Sequence, residues 1–360
     1  MDLKSLRTRI DKIDESLVRL LNDRIKTAKK ISEYKRKKTI NGNLYRPERE
    51  AELLARVTKL NHEIGSGMID DELIRFFFTQ VMSATFYLGG QLKIAYLGPN
   101  ASYTHVAAIK RFGSKVEMLP VSDVAAIFSE VEKGEADFGV VPVENSTEGM
   151  VTHTLDSFVE SPLEICSEVE LKIKHCLLSS SADLKKIERI YSHPQSFGQC
   201  RKWLARNMPG VDLIEKNSNS RAACTALREK GAAAIASELA GHEYKLKVVR
   251  KNIQDSDDNT TRFLVIGRYS TKPTGKDKTS VVFSMKDEPG ALDAMLTPFK
   301  KYNINLTKIE SRPLKNKVWQ YYFFIDLSGH KDEKNVKEAL IELEKKSLMF
   351  KILGSYPKAR

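Results

Sequence analysis

Gly139-Val140-Val141-Pro142-Val143-Glu144-Asn145-Ser146-Thr147-Glu148-Gly149 reads as a buried strand that runs into a polar turn. Polar side chains and free backbone amides at the carboxyl end of a strand commonly build an anion site in α/β folds. The local alternative is that Asn145-Ser146 caps a helix. Ser192-His193-Pro194-Gln195-Ser196-Phe197-Gly198-Gln199-Cys200 repeats the arrangement: a strand, a Pro turn, then a helix with Gln199 one turn in. Two such turns predict two halves facing each other across a cleft. Around them, β-rich runs at 94–97, 138–143, 190–192, 232–236 and 263–266 alternate with helical stretches such as 121–133 and 195–207. That alternation predicts βα units and a parallel-rich α/β fold.

Outward from this segment the texture changes twice. The first 90 residues carry no strand signature and only one proline, Pro47. Leu3, Leu6, Ile10, Ile13, Leu17 and Leu20 recur at spacings of three and four, the seam of a long helix reaching about residue 37. Asn41-Gly42-Asn43 is a turn, Pro47 suits the first turn of a second helix to about 61, Gly65-Ser66-Gly67 breaks the chain, and Asp70 caps a third helix. One long and two shorter helices enclose little core, so an intertwined dimer is the expected way to bury the seam. At the other end, Ser270-Thr271-Lys272-Pro273-Thr274-Gly275-Lys276-Asp277 reads as a linker. Beyond it, strand 279–285, helix 291–302, strands 305–311 and 318–327, helix 334–346 and strand 350–355 give βαββαβ, a ferredoxin-like module. The expected domains are therefore 1–91, all-α; 92–270, two-lobed α/β; and 271–360, α+β, with the linker at about 270–278.

A chain of 360 residues, 41% hydrophobic and 29% charged, buries substantial cores in two or three domains. The formal charge of +12 points to an anionic partner without choosing between nucleic acid, membrane surface and acidic metabolite. The most apolar stretch, 76–89, is interrupted by Thr79, Gln80, Ser83 and Thr85 and is too short to span a bilayer. Met1-Asp2-Leu3-Lys4 opens no secretory signal, so a cytoplasmic protein is expected. Cys166, Cys176, Cys200 and Cys224 are too widely spaced for a disulfide framework or a zinc knuckle and read as free structural thiols. His105, His153 and His193 lack metal-ligand spacing, so no metal is expected.

Arg24 and Lys35 are eleven residues apart on one helix, which returns them to nearly one face. Arg7 lies about 100° away from Arg24 and reaches a partner's pocket in an intertwined dimer, while Arg49 and Glu50 open the second helix. Several cations around one carboxylate suit a small dianion; the competing reading is a solvated basic face. Leu6-Arg7, Ile13-Asp14-Glu15, Asp23-Arg24, Lys35 and Pro47-Glu48-Arg49-Glu50 together resemble the all-helical type of chorismate mutase. The resemblance implies that Arg7, Arg24 and Arg49 hold carboxylates, Lys35 serves the breaking ether oxygen and Glu50 accepts the substrate hydroxyl. A Claisen rearrangement needs only a folded substrate and stabilisation of developing charge. Aligned with that family, Thr85 takes the place of a usual Ser, and Gly89 stands where a Gln or Glu side chain should donate. Reduced mutase activity is expected, unless Gln91 substitutes.

In the central segment, the two polar turns together with Ala95-Tyr96-Leu97-Gly98-Pro99, Ser102-Tyr103-Thr104-His105, Asn217-Ser218-Asn219-Ser220-Arg221-Ala222 and Asn259-Thr260-Thr261-Arg262-Phe263 closely resemble prephenate dehydratase. That family has two periplasmic-binding-protein-like lobes, which the resemblance places at 92–165 plus 246–269 and at 166–245. It implies conversion of prephenate to phenylpyruvate without metal or organic cofactor. Thr261 is then the residue that protonates or orients the departing hydroxyl. Glu144, Asn145, Ser146, Ser192, Gln199, Arg262 and Phe263 form the expected substrate-binding set, with Glu144 setting the turn. In a continuous strand Thr261 and Phe263 share a face and Arg262 points away, so an ion pair to Asp257 or Asp258 competes with substrate binding at Arg262.

Asp287-Glu288-Pro289-Gly290-Ala291-Leu292 and Glu310-Ser311-Arg312-Pro313 resemble the two motifs with which the ACT regulatory domain of such enzymes binds phenylalanine. Gly290, Ala291, Leu292, Asn305, Glu310, Ser311, Arg312 and Pro313 are the residues this implies, with phenylalanine as feedback inhibitor. The expected protein is a bifunctional chorismate mutase and prephenate dehydratase acting as a homodimer or homotetramer. Its rivals are a dehydratase with an inactive helical dimerisation domain, a non-catalytic amino-acid-sensing regulator and a nucleic-acid binder. Tyr34 alone beside Lys35 to Lys38 argues against the last.

Overall fold

The computed structural model describes residues 2–37, 45–65, 67–90, 92–313 and 321–359. The expected turn at Asn41-Gly42-Asn43, Ser66, Gln91, and the side chains of Ser32, Lys35, Arg36 and Lys37 lie outside the described set. The chain divides into two compact units, Met1–Lys93 with Arg111–Glu117, and Ile94–Lys110 with Met118–Arg360.

The first unit is helical: α1 (Leu3–Lys37), α2 (Pro47–Ile64) and α3 (Asp71–Gly90). Pro47 supplies the first turn of α2, and the Leu73 amide donates to Asp70 Oδ1 at 2.7 Å, capping α3. The seam of α1 is uncovered: Leu6, Ile10, Ile13, Leu17 and Leu20 are 43–66% exposed. Tyr45 is instead fully buried, its ring 4.9 Å from that of Phe112.

The second unit begins with β1 (Lys93–Leu97), α4 (Tyr103–Phe112), β2 (Glu117–Val121), α5 (Val124–Lys133), β3 (Phe138–Asn145), β4 (Gly149–Met150), α6 (Thr152–Glu160) and β5 (Glu164–Lys172). There follow β6 (Cys176–Ser179), β7 (Arg189–Ser192), α7 (Pro194–Gln199), α8 (Arg201–Asn207), β8 (Asp212–Glu215), α9 (Asn219–Arg228), β9 (Ala232–Ala236), α10 (Glu238–Glu243), β10 (Lys247–Arg250) and β11 (Thr260–Gly267). Two sheets form, in the orders β2-β1-β3-β11-β5, with β4 on β3, and β10-β6-β9-β7-β8. The two lobes therefore exchange chain after β5 and again between β10 and β11, so β5 belongs to the first lobe and β10 to the second, which corrects the expected divisions at 165 and 245. Nor are the sheets simply parallel. β11 runs antiparallel to β3 and β5, and β6 antiparallel to β9 and β10, because each enters its new lobe at the end where the neighbouring strands leave. Thr261, near the start of β11, consequently lies opposite Asn145 at the end of β3.

The last segment is β12 (Asp277–Ser284), α11 (Ala291–Lys301), β13 (Leu306–Pro313), β14 (Tyr321–Ser328), α12 (Lys334–Lys346) and β15 (Met349–Pro357). The sequence order βαββαβ gives the sheet β13-β14-β12-β15. Strand alternation divides its side chains between two cores. Val281, Phe283, Ile325 and Leu327 pack with Met295, Phe299, Leu340 and Leu343 of the helices. Val282, Phe324, Leu353 and Tyr356 pack with Leu155, Phe158, Ile165 and Leu264 of the first lobe. No helix among the described residues is long and apolar enough to cross a membrane.

Candidate active site

Asn145 organises the turn after β3. Its Oδ1 accepts from the Thr147 and Glu148 amides at 3.0 and 3.1 Å, and its Nδ2 donates to Asn259 Oδ1 at 2.8 Å and Thr261 Oγ1 at 2.7 Å. Thr261 is 9% exposed. As acceptor in that bond, its hydroxyl keeps its own proton for another partner, and the donated bond favours negative charge developing on the oxygen. That is what a weak acid needs if it is to hand a proton to a departing hydroxyl.

The second polar turn is pinned from inside its own lobe. Asn219 Oδ1 accepts from Ser192 Oγ at 3.1 Å, the His193 amide at 3.0 Å and Ser196 Oγ at 3.1 Å. Gln199, at the end of α7, is held by His175: Gln199 Oε1 lies 2.7 Å from His175 Nε2, and His175 Nδ1 lies 2.7 Å from the Tyr103 hydroxyl. Burial lowers the His175 imidazole below its ordinary value, against the pull of Gln199. Two buried amide nitrogens, Gln199 Nε2 and Asn259 Nδ2, have no hydrogen-bond partner among the described residues. Asn259 is anchored where the chain leaves the first lobe, its carbonyl accepting from the Ile173 amide at 2.8 Å, while the Gln199 carbonyl accepts from the Asp255 amide at 2.7 Å. Unpaired buried donors are costly, and an anionic ligand satisfies them. Asn259, Tyr103 and His175 were absent from the expected site. Asn259 and Tyr103 lie inside quoted motifs, whereas nothing local marks His175.

Five expected substrate contacts are used otherwise. Arg262 turns to the opposite face of β11, where Nε meets Glu168 at 2.8 Å and Nη1 meets Asp326 at 2.6 Å; neither Asp257 nor Asp258 is its partner in those contacts. Glu144 pairs with Lys308 at 2.5 Å. Phe263 is 1% exposed and packs in the core. Ser146 Oγ donates to the Asp258 carbonyl and accepts from the Thr260 amide, both at 3.0 Å, so it ties the turn to β11. Ser192, fully buried, is spent on Asn219 and the Ile235 carbonyl.

In the helical unit, Arg24 Nη1 donates to Thr85 Oγ1 at 2.8 Å, joining α1 to α3. Arg7 is exposed, and Arg49 pairs with Glu52 at 2.8 Å. The Lys35 side chain lies outside the described residues. Glu50 does not stand with these cations: it is buried against Arg111 at 2.9 Å. Burial pushes its carboxyl up while Arg111 pulls it down. In the last segment, Gly290 takes the left-handed conformation (φ 78°) that starts α11, with Ala291 and Leu292 in its first turn. The Asn305 carbonyl accepts from the Ser328 amide at 2.9 Å. Glu310, Ser311, Arg312 and Pro313 end β13, and Arg312 reaches Asp156 of α6 at 3.2 Å. The four cysteines are free, and burial pushes the Cys200 thiol up to about 12, which leaves it unreactive.

Fold and site together define a two-lobed lyase of the prephenate dehydratase type, fused to a helical unit and an ACT module. Family models agree: prephenate dehydratase matches residues 94–271, chorismate mutase type II residues 6–88, and the ACT domain residues 279–345. A bifunctional chorismate mutase/prephenate dehydratase of Aquifex aeolicus is 48% identical over 358 residues, 99% of this chain and 98% of that protein. Its counterpart in Pseudomonas aeruginosa is 45% identical over 99% of this chain and 98% of that protein. The crystal structure of a prephenate dehydratase from Arthrobacter aurescens in complex with L-Phe superposes with a TM-score of 0.69 at 34% identity, covering 74% of this chain and 90% of that one. The chain belongs to the bifunctional chorismate mutase/prephenate dehydratase family.

Proposed function

We infer that the helical unit rearranges chorismate to prephenate and that the two-lobed cleft converts prephenate to phenylpyruvate, carbon dioxide and water, in phenylalanine biosynthesis under phenylalanine inhibition. The observation that carries the dehydratase reading is the Asn145–Thr261 bond of 2.7 Å, with Asn259 on the same Asn145 amide and, among the described residues, no partner for the buried amide nitrogens of Asn259 and Gln199. Thr261 delivers a proton to the leaving hydroxyl, Asn145 holds its oxygen, and Gln199 and Asn259 bind the dianion. Arg7, Arg24, Lys35 and Arg49 bind chorismate across a homodimer whose interface is the uncovered seam of α1. Gly290 to Leu292, Asn305 and Glu310 to Pro313 bind phenylalanine, and the functional segments are 1–91, 92–270 and 271–360. The cytoplasm, where free thiols persist, is the compartment that fits.

A second reading, a dehydratase whose helical unit only dimerises, is favoured by Gly89 and by the burial of Glu50 against Arg111. One experiment separates the two. Purified protein is given chorismate, and prephenate and phenylpyruvate are followed with and without phenylalanine. Consumption of both substrates supports the first reading; consumption of added prephenate without chorismate turnover selects the second.

A further inference from the structure

The two strands that carry Asn145 and Thr261, β3 and β11, also carry side chains that touch the sheet of the last segment. In the antiparallel register of β3 and β11, Asn145 lies opposite Thr261 and Glu144 opposite Arg262. A bulge interrupts the ladder between Arg262 and Phe263, opposite Val143. Such a bulge places two successive residues against one and re-aims side chains. Asn145 and Thr261 therefore serve the cleft, while Glu144 and Arg262 leave by the other face.

That other face meets the ACT sheet. Lys308 of β13 and Asp326 of β14 are themselves cross-strand partners. Lys308 reaches Glu144 at 2.5 Å, and Arg262 reaches Asp326 at 2.6 Å. Two cross-strand pairs of opposite sign thus close a square in which every neighbour carries the opposite charge. Arg262 and Asp326 are each 11% exposed and Lys308 17%. The square is braced by Glu168, which holds Arg262 and Lys278 at 2.8 Å each, and by the Tyr356 hydroxyl, 2.9 Å from Arg262 Nη2. A cavity of about 30 Å³ next to the square is lined by Arg262, Lys308, Ser280 and Asp326 on one side and by apolar side chains such as Leu155, Phe158 and Leu353 on the other.

We propose that Glu144, Arg262, Lys308 and Asp326 form a coupling element that holds the Asn145–Thr261 pair in place and transmits the state of β13 to it. Lys308 stands two residues before Glu310 on the strand that ends in Glu310-Ser311-Arg312-Pro313, so the two lie on one face. A ligand that shifts β13 moves Lys308 against Glu144, the residue next to Asn145. A ligand changes the balance of two states only through contacts that differ between them, and the Lys308–Glu144 pair is such a contact. Glu144 and Arg262 are in this account positioning residues. The regulatory half of the proposal rests on the reading of the ACT module as a phenylalanine sensor.

The test uses the full-length enzyme with Lys308→Met, Lys308→Arg and Glu144→Gln, measuring prephenate kcat and KM, phenylalanine inhibition, and phenylalanine binding by calorimetry. Lys308→Met is expected to lower kcat about tenfold with KM nearly unchanged. It should also bind phenylalanine within about threefold of wild type yet lose most of its inhibition at saturation, whereas Lys308→Arg keeps both properties. The double variant Lys308→Met/Glu144→Gln should be no worse than either single one, because both remove the same contact. Should Lys308→Met fail to fold, Glu144→Gln probes the contact from the other side. Phenylalanine binding with wild-type inhibition in both single variants overturns the coupling. Failure of the wild-type enzyme to bind phenylalanine overturns the sensor reading and the regulatory half with it, leaving the kcat effect to decide the positioning role.

Discussion

Thr261→Val preserves the β-branched shape of a residue that is 9% exposed and removes only the oxygen that accepts from Asn145 Nδ2 at 2.7 Å. Asn145 keeps its bond to Asn259 at 2.8 Å and its two turn contacts, so the loop geometry survives. The folded state loses one hydrogen bond, about 1 kcal/mol net, and at most about 3 kcal/mol if the freed N–H finds no partner. At about 2–4 °C per kcal/mol for a unit of this size, Tm falls by roughly 2–12 °C and the protein stays folded at 25 °C. Catalysis suffers more. A positioned proton donor contributes about 10²- to 10⁴-fold, which corresponds to about 3–5 kcal/mol of barrier. Steady-state formation of phenylpyruvate from prephenate should therefore show kcat reduced at least about 100-fold with KM within about threefold, and Thr261→Ser, which retains the oxygen, within about tenfold of wild type. A Val variant that keeps a tenth or more of the wild-type kcat refutes the role assigned to Thr261.

Acid should loosen the second unit through His175, whose imidazole sits below the ordinary 6.5 because it is buried. Its neutral form is favoured by folding, so this contribution is complete above pH 6.5 and is lost as pH falls beneath it, at up to about 1.4 kcal/mol per pH unit. Thermal melts of wild type and His175→Phe between about pH 5 and 7.5 should show the steeper decline in wild type, and parallel curves would contradict this. Wild-type mutase turnover should be measurable but low, and Gly89→Gln should raise chorismate kcat/KM at least about tenfold, given the 10²- to 10³-fold effect typical of one donor at a developing oxyanion. An unaltered rate would mean that Gly89 is not the place of the missing donor. A Cβ at Gly290 meets no atom within 4 Å, so the penalty of Gly290→Val that the structure shows is the left-handed backbone at φ 78°, about 1–2 kcal/mol or more for a β-branched residue. It should raise the phenylalanine concentration giving half-inhibition several-fold, and equal inhibition would place the sensor elsewhere.

Periodicity sufficed for the elements. The Leu3 to Leu20 seam marks a helix that spans Leu3–Lys37 of the described residues, and the βαββαβ order of the last segment follows from its alternation of strand and helix patterns. What periodicity cannot carry is strand direction, because a run such as 263–266 looks the same whether its chain arrives from its own lobe or from the other. Hence the lobe divisions were displaced by β5 and β10. The same blindness applies at single residues. Glu50 is polar beside cations in sequence, yet its partner Arg111 comes from 61 positions away, and His175 reaches Gln199 only once the lobes fold. Asn145 and Gln199 stand out locally as polar residues in turns that follow strands, with a helix cap as the local alternative for Asn145, whereas Thr261, near the start of β11, is singled out by the resemblance of its motif to prephenate dehydratase rather than by any local pattern.

Within Asn259-Thr260-Thr261-Arg262-Phe263 the pleat sends adjacent side chains to different tasks. Thr261 meets Asn145, Arg262 meets the ACT sheet, and Phe263 fills the core. A motif of this kind reads as one functional unit in sequence but is divided by strand geometry between chemistry and docking. Magnitudes favour a regulatory use for the division. Removing one partner of a buried ion pair costs about 3–5 kcal/mol, whereas allosteric couplings typically amount to about 1–3 kcal/mol. Only the Arg262–Asp326 contact, with both side chains 11% exposed, is of that buried kind, so unpairing it would cost enough to account for inhibition; Lys308 meets a Glu144 that is 36% exposed, and their pair is worth about 1 kcal/mol or less. The sensor then needs no route through the cleft, because the two strands that bear the catalytic pair already carry its contacts on their other face.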